Sequence, residues 1–257
     1  MDFHYIEMAC EEGVGSITLN RPHCYNALNR SMVKEIADCA EFLDRSADCR
    51  CILIKANGKA FSSGADIDEM LNDHTIALEL NNPFSDWDRL GAIRKPMVAA
   101  VKGFVFGGGF ELALCCDLLI AATDTMFAFP EVNLGVMPGA GGTQRLTKLA
   151  GRNKALEWLW TGSRISVQEA QQYGIVNTIT ECELLDESAI RLCRRLAKQP
   201  PLSVRLIKES VNKAIDYPLQ EGMLQERKNF YLLFSSNDQK EGMRAFLEKR
   251  IPEFKGE

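Results

Sequence analysis

The stretch from residue 95 to residue 116 constrains the fold of this chain more than any other. The apolar run Met97–Val101 is short enough for an inner strand, and three consecutive glycines follow at 107–109. The apolar residues 112–116 then suit a buried helix. Inner strands that alternate with helices predict an α/β fold with a parallel sheet and crossover helices.

Strand and helix patterns continue on both sides of this stretch. In the first half we expect a hairpin of strands at 3–9 and Val14–Leu19, a helix from Asn29 to about Ala47, and strands at 51–54 and 118–121. Beyond Gly142 helices predominate, and we expect them at 166–173, 184–199, 202–215, 219–234 and 239–249. The C-terminal quarter is therefore predicted to be helical.

The composition is that of an ordinary globular protein, with 46% hydrophobic and 25% charged residues. No apolar run approaches the roughly 20 residues of a membrane-spanning helix, so no membrane segment is expected. Residues 1–7 resemble neither a secretory signal nor a transit peptide, which favours the cytoplasm. The nine cysteines show no CxxC spacing and are expected to be reduced, mostly buried thiols. A net charge of −5 argues against non-specific nucleic-acid binding, although it does not exclude a local basic patch.

Two glutamates are the strongest candidates for chemistry. Glu111 follows the glycine run and Glu131 follows Pro130, and each is a single charge among apolar neighbours. In the first turn of a helix, Glu111 could simply complement the helix dipole on an exposed surface. If instead the two carboxylates are partly buried and close together, their proton affinities separate, which suits one as a base and the other as an acid.

Two glycine-opened turns accompany these glutamates. The run 107–109 is one, and residues 64–66, ahead of a short helix through Met70, are the other. Two backbone amides converging on one carbonyl oxygen would form an oxyanion hole, in which each donor contributes about 3 to 4 kcal/mol. The alternative is that these glycines only permit tight strand-to-helix turns. Neither GxxxxGK[ST] nor GxGxxG is present, which argues against nucleotide binding.

Metal and nucleophile chemistry find little support. The histidines His4, His23 and His74 lie far apart without ligand spacing, so no metal site is expected. Ser62 and Ser63 precede Gly64, but no histidine nearby in the sequence would activate them. A serine hydrolase is therefore disfavoured.

Four motifs in order give the chain a recognisable resemblance. Residues 60–67, 103–111, 129–131 and 134–146 resemble the motifs of the crotonase family, the enoyl-CoA hydratase/isomerase superfamily. The resemblance extends from about Ile6 through residues 242–250. It implies a spiral of ββα units over residues 1–195, holding the CoA and acyl site, and a helical trimerisation region over residues 196–257.

The resemblance also implies roles for five residues. The N–H groups of Ala65 and Gly108 would form the oxyanion hole for a thioester carbonyl, and Gly139 would help position the reacting water. Glu111 and Glu131 match the two acid/base glutamates of the hydratases. We expect Glu131 to protonate Cα and Glu111 to orient and deprotonate the water, with the alternative that the two coupled carboxylates share the proton. Because both glutamates are present, the resemblance favours an enoyl-CoA hydratase, a lyase that converts a 2-enoyl-CoA to a 3-hydroxyacyl-CoA.

Coenzyme A would enter as part of the acyl-CoA substrate, so no separate cofactor is expected. The acyl pocket is expected from residues 71–87 and near Trp158. The positions that match the family's CoA-binding segments are Ala27, Lys59, Ala60, Asp66, Ile67, Asp68, Phe246 and Lys249. The last two could equally be the apolar and solvated faces of one helix.

The family resemblance implies a homotrimer or a dimer of trimers. The apolar residues 230–234 fit subunit contacts but equally an intrachain core. Within the same fold, an enoyl-CoA isomerase or a methylglutaconyl-CoA hydratase is the alternative. An RNA-binding or regulatory protein is the alternative from a different class, although the acidic charge balance and the paired glutamates disfavour it.

Overall fold

The computed structural model describes residues 3–257, so the first two residues of the predicted N-terminal unit lie outside the description. Its strands are β1 (Ile6–Glu11), β2 (Val14–Leu19), β3 (Cys51–Ala56), β4 (Met97–Val101), β5 (Phe104–Phe106), β6 (Leu118–Ala122), β7 (Met126–Ala128), β8 (Ile165–Ser166) and β9 (Thr178–Thr180). Six of them form one sheet in the order β1-β2-β3-β4-β6-β9. Only the β1–β2 pair of this sheet is antiparallel, and the other pairs are parallel.

A smaller sheet continues from the carboxyl ends of two inner strands. It has the order β5-β7-β8, with β5 parallel to β7 and β7 antiparallel to β8. Short breaks after β4 and after β6 redirect the chain from the large sheet into the small one. The glycine run 107–109 follows β5 directly, so the smaller sheet positions the turn that leads to Glu111.

The helices surround the two sheets and fill the C-terminal part of the chain. They are α1 (Arg30–Arg45), α2 (Ile67–Met70), α3 (Thr75–Asn81), α4 (Ser85–Gly91), α5 (Gly108–Cys115), α6 (Gly142–Ala150), α7 (Arg152–Thr161), α8 (Val167–Gln172), α9 (Leu185–Ala197), α10 (Pro201–Ala214), α11 (Leu219–Leu233) and α12 (Asn237–Glu248). Within residues 3–257, no helix has both the length and the apolar character needed to cross a membrane.

The large sheet is covered on both faces, which explains why β4 is apolar at every position and β3 at every position except Lys55. In β3, Ile52 and Ile54 belong to the core that includes α1, whereas Cys51 and Leu53 belong to the core that includes α9. Side chains alternate between the faces of a strand, so a strand buried on both faces reads as a continuous apolar run. The inner-strand prediction for Met97–Val101 is confirmed.

The other predicted elements are confirmed with small changes at their ends. The hairpin pairs Glu11 with Val14, although its first strand begins at Ile6 rather than residue 3. The Asn29 side chain caps α1 by accepting a hydrogen bond from the Met32 amide. The sequence reading missed β5, β7, β8 and β9, which are two or three residues long and give almost no periodic signal.

The C-terminal helices confirm the predicted helical character of that region. The boundary proposed after residue 195 falls in the last turn of α9, which packs on the large sheet. Phe230, Tyr231 and Leu232 on α11 are 56%, 66% and 61% exposed, so they do not form an intrachain core. All nine cysteines are free thiols, and five of them are buried. The division into a catalytic and an oligomerisation region stays a prediction.

Candidate active site

The turn between β5 and α5 brings the two glutamates together. Gly107 has φ 49° and ψ −124°, a conformation that side-chain-bearing residues rarely adopt. A Cβ on Gly107 would stand 3.0 Å from Glu131 Oε1, so the carboxylate lies directly against the glycine backbone. The Gly107 amide donates to Ala128 O at 2.9 Å, which ties the turn to the end of β7, just before Glu131. The glycine therefore permits the close approach.

Glu111 is buried in the first turn of α5, with only 4% of the residue exposed. Its Oε1 accepts hydrogen bonds from the amides of Ala140 at 2.7 Å and Gly142 at 2.8 Å. Burial raises the pKa of Glu111, while the Gly142 and Ala140 amides and the charge of Arg145 act in the opposite direction. The alternative of an exposed carboxylate that only complements the helix dipole is therefore wrong.

Glu131 occupies a different environment in the first turn of the 3-10 helix Pro130–Leu134. Its Oε2 is buried and has no hydrogen-bond partner among residues 3–257. Burial raises the pKa of Glu131 to about 7; a hydrogen bond from its own backbone amide opposes this rise, and the charge of Glu111 adds to it. Glu111 is thus held by two amides, whereas the buried Oε2 of Glu131 has no donor within the described residues.

The amides of Ala65 and Gly108 border the same small space. At the parallel β-bridge between Leu28 and Ala65, the Leu28 amide donates to Gly64 O and the Asp66 amide donates to Leu28 O. The Ala65 amide between them has no acceptor within residues 3–257. Gly108 begins α5, so its amide has no intrahelical partner. A Cβ on Gly108 would stand 3.6 Å from the Ala65 nitrogen. Two free N–H groups therefore lie close together, and their oxyanion-hole role stays a prediction.

Two aromatic rings from residues 71–87, the segment predicted to line the acyl pocket, lie beside the backbone of Gly108 and Gly139. A Cβ on Gly108 would stand 3.9 Å from Trp87 Cη2, and one on Gly139 would stand 2.6 Å from Phe84 Cζ. Trp158 instead is buried in the core, where its ring meets the edge of Tyr173. The structure therefore places the 84–87 part of the predicted segment at the site and Trp158 in the core.

One arginine joins two of the predicted CoA-binding segments. Arg21 Nη1 donates to Ala27 O at 2.7 Å and to Asp66 Oδ2 at 3.0 Å. Ala60 is buried, and its carbonyl accepts from Asn26 Nδ2 at 2.9 Å. Sequence reasoning did not single out Arg21 or Asn26. Their position shortly before Ala27 was the only feature of the sequence that could have pointed to them.

The remaining predicted CoA residues are surface positions. Lys59, Ile67 and Asp68 are exposed, and in the sequence they lie next to Ala60 or Asp66. Phe246 is 84% exposed on α12, and Lys249 ends that helix with a φ of 56°. The binding roles of all these residues stay predictions.

The segment 139–142 does more than the sequence suggested. Gly139 was the residue expected to position water, but the amides that reach Glu111 belong to its neighbours Ala140 and Gly142. Arg145 Nη1 donates to Ala140 O at 2.9 Å. The run of glycines ahead of Gln144 and Arg145 was visible in the sequence, whereas the direction of each peptide group was not. The role of Gly139 stays a prediction.

Other polar groups near the site have structural partners. Ser62 Oγ donates to Asn26 O at 2.8 Å and accepts from the Gly64 amide at 3.2 Å. His4, His23 and His74 are exposed. The described part of the chain contains no group of three or more His, Cys, Asp or Glu side chains that could hold a metal ion.

Comparison with known proteins places this geometry in context. A family model described as enoyl-CoA hydratase/isomerase matches residues 9–257. A probable enoyl-CoA hydratase of Mycobacterium leprae is 45% identical over 94% of each chain. The mitochondrial enoyl-CoA hydratase of Pongo abelii is 43% identical over 94% of this chain and 83% of its own. A solved enoyl-CoA hydratase structure from Geobacillus kaustophilus HTA426 is 60% identical, covers both chains fully and superposes with a TM-score of 0.98. The predicted fold class is thereby confirmed.

Proposed function

Because the chain belongs to the enoyl-CoA hydratase/isomerase family, we propose that it is an enoyl-CoA hydratase. This hydro-lyase reversibly adds water across the 2,3 double bond of a 2-enoyl-CoA to give a 3-hydroxyacyl-CoA. The observation that carries the proposal is the contrast between two neighbouring carboxylates. Glu111 accepts two amide hydrogen bonds, whereas the buried Oε2 of Glu131 accepts none within the described residues.

The two free amides supply the electrophilic part of the reaction. The thioester oxygen of the substrate accepts hydrogen bonds from the N–H groups of Ala65 and Gly108. Negative charge grows on this oxygen as water attacks Cβ, so donors fixed in advance stabilise the transition state more than the substrate. The position of Gly108 at the N-terminus of α5 adds partial positive charge there.

The carboxylates divide the proton transfers between them. Burial raises the pKa of Glu111, but two amide hydrogen bonds and the charge of Arg145 oppose that rise and support an ionised base. The second oxygen of Glu111 accepts the proton of the attacking water while the new C–O bond forms at Cβ. The pKa of Glu131, raised to about 7, keeps a protonated fraction of this carboxyl near neutral pH, and the protonated form delivers its proton to Cα. One turnover leaves Glu111 protonated and Glu131 ionised, and proton exchange with solvent restores the pair. Because the two groups are coupled, they titrate as a pair.

The CoA part of the substrate supplies binding, and the enzyme needs no separate cofactor. The proposed contacts are the segments that Arg21 holds together, with Phe246 and Lys249 closing the site from α12 or from that of a neighbouring subunit. The exposed apolar residues of α11 are the proposed contacts of a homotrimer or a dimer of trimers, which sedimentation would test. Cytoplasmic location stays a prediction, and binding to nucleic acid or membrane is not expected.

The test replaces each glutamate with glutamine and measures crotonyl-CoA hydration. We expect Glu111→Gln and Glu131→Gln each to lower kcat by about 10² to 10⁴-fold, the usual contribution of a general acid or base. Glu183→Gln is the matched control, because Glu183 is also in the first turn of a 3-10 helix but is exposed. Near-normal turnover in either site variant would contradict the two-carboxylate mechanism.

A panel of substrates separates the alternatives. Turnover of 3-enoyl-CoA in preference to 2-enoyl-CoA would indicate an isomerase, and a preference for methylglutaconyl-CoA would indicate the branched-chain hydratase. Salt-dependent RNA binding without any acyl-CoA turnover would favour the regulatory alternative.

A further inference from the structure

Three consecutive peptide groups connect residue 139 to residue 142. The first and the third donate their N–H groups, from Ala140 and Gly142, to the same oxygen of Glu111. The middle peptide group has the opposite role, because its carbonyl, Ala140 O, accepts a hydrogen bond from Arg145 Nη1 at 2.9 Å. The arginine therefore holds the peptide that lies between the two donors.

We propose that Arg145 is a positioning residue, which fixes the turn 139–142 and through it the Glu111 carboxylate that activates water. The role rests on the proposed function, since it needs Glu111 to act as the base. Arg145 itself touches the turn and has no part in bond formation.

The fit of the guanidinium supports this role. Gly141 has φ 102°, and a Cβ there would overlap the Arg145 guanidinium, so the side chain fills the space above the glycine. The other side of the guanidinium faces the end of α4, where a Cβ added to Gly91 would stand 3.4 Å from Nη2. The backbone amide of Arg145 also donates to Gly141 O at 2.9 Å. The turn is thus held by the start of α6 and by a side chain from the same helix.

The charge of Arg145 acts on Glu111 as well. Burial raises the pKa of Glu111, and the positive charge of Arg145 opposes that rise together with the two amides. The other charged or titratable groups near Glu111 are Glu131 from the 3-10 helix and Cys115 one turn along α5, while Asp88 of α4 lies close enough to act on Cys115. Among these groups in residues 3–257, Arg145 is the cation whose charge favours the ionised form of Glu111.

The experiment compares Arg145→Ala, Arg145→Gln and Arg145→Lys in crotonyl-CoA hydration across pH. Arg145→Ala is expected to lower kcat by about 10 to 100-fold, as small displacements of a catalytic group do, with KM within about two-fold. Without the cation the pKa of Glu111 rises, so the acidic limb of the kcat profile moves to higher pH in the Ala and Gln variants. Arg145→Lys keeps the charge, and we expect its acidic limb at the wild-type pH and a smaller loss of kcat.

Lys148→Ala is the matched control, since Lys148 is on the same helix but pairs with the exposed Asp216. It should leave both kcat and the pH profile unchanged. If Arg145→Ala does not fold, the expected shift of the acidic limb in Arg145→Gln and its absence in Arg145→Lys still test the role.

Two results would overturn the assignment of Arg145. One is wild-type kcat with an unmoved acidic limb in Arg145→Ala. The other is an equal loss of activity in every folded variant with no movement of that limb, which would indicate a purely structural arginine. Failure of the wild-type protein to hydrate crotonyl-CoA would instead refute the proposed function on which the role rests.

Discussion

Replacing Glu131 with glutamine should stabilise the folded protein at high pH, although it lowers kcat for hydration. Burial raises the pKa of Glu131 from 4.5 to about 7. At about 1.4 kcal/mol for each pH unit, this corresponds to a cost of about 3 kcal/mol for ionising the carboxyl in the folded state. Because the residue is partly exposed, solvent screening reduces the expected cost to about 1 to 2 kcal/mol. A buried acceptor without a donor costs a similar amount, about 1 to 3 kcal/mol.

The sign of the effect follows from the direction of the pKa change. Below pH 4.5 the carboxyl is protonated in both the folded and the unfolded chain, so its ionisation costs nothing. As the pH rises from 4.5 to about 7, the unfolded chain ionises first and the folded state loses stability, and above pH 7 the full cost is present. Glutamine is neutral at every pH and therefore removes this loss.

Urea unfolding of the wild-type protein and of Glu131→Gln at pH 5 and pH 8, at one protein concentration, measures the effect. The free energy of unfolding of the variant minus that of wild type should be about 1 to 2 kcal/mol larger at pH 8 than at pH 5, which means that the variant gains stability at high pH. Effects of the substitution that do not depend on pH cancel in this comparison, and Glu183→Gln should show no such gain. An identical difference at both pH values would refute the idea that Glu131 is ionised at a cost.

Three further substitutions test the geometry of the site. Gly108→Ala should abolish hydration without loss of stability. Its new methyl group would stand at an ordinary contact distance of 3.6 Å from the Ala65 nitrogen, but it would enter the space proposed for the thioester oxygen. Thermal unfolding measures the stability of the variant, and kcat measures its hydration activity. Gly109→Ala should instead destabilise the fold by about 1 to 3 kcal/mol in urea unfolding, since its Cβ would stand 2.5 Å from the Ser62 Cβ. Arg21→Ala should raise KM for crotonyl-CoA about 10-fold with kcat little changed, because it releases two CoA-binding segments; an equal loss of kcat would argue against that role.

The elements with a strong local signal were predictable from the sequence. Helix α1 has an Asn29 cap and a regular apolar period, and the β1–β2 hairpin has Gly13 in its turn. Such signals act over a few residues and need no partner elsewhere in the chain. Short strands such as β7 and β8 lack them, because they are specified by pairing with one another across almost 40 residues. Helices α3 and α4 were missed as well, although α4 carries Trp87 and begins directly after Phe84, and both side chains lie at the site.

The same distinction applies to the candidate site. By itself the sequence determined the α/β-then-helical order and the family motifs, and with them the selection of Glu111 and Glu131, because residue types and their spacing are properties of the chain. Only the tertiary structure decided that the Ala140 and Gly142 amides, 29 and 31 residues beyond Glu111, bind one of its oxygens, and that the buried oxygen of Glu131 has no donor in the described residues. The direction of an amide and the burial of a carboxylate depend on packing between distant segments, and the proposed division into a base and an acid rests on these differences in environment.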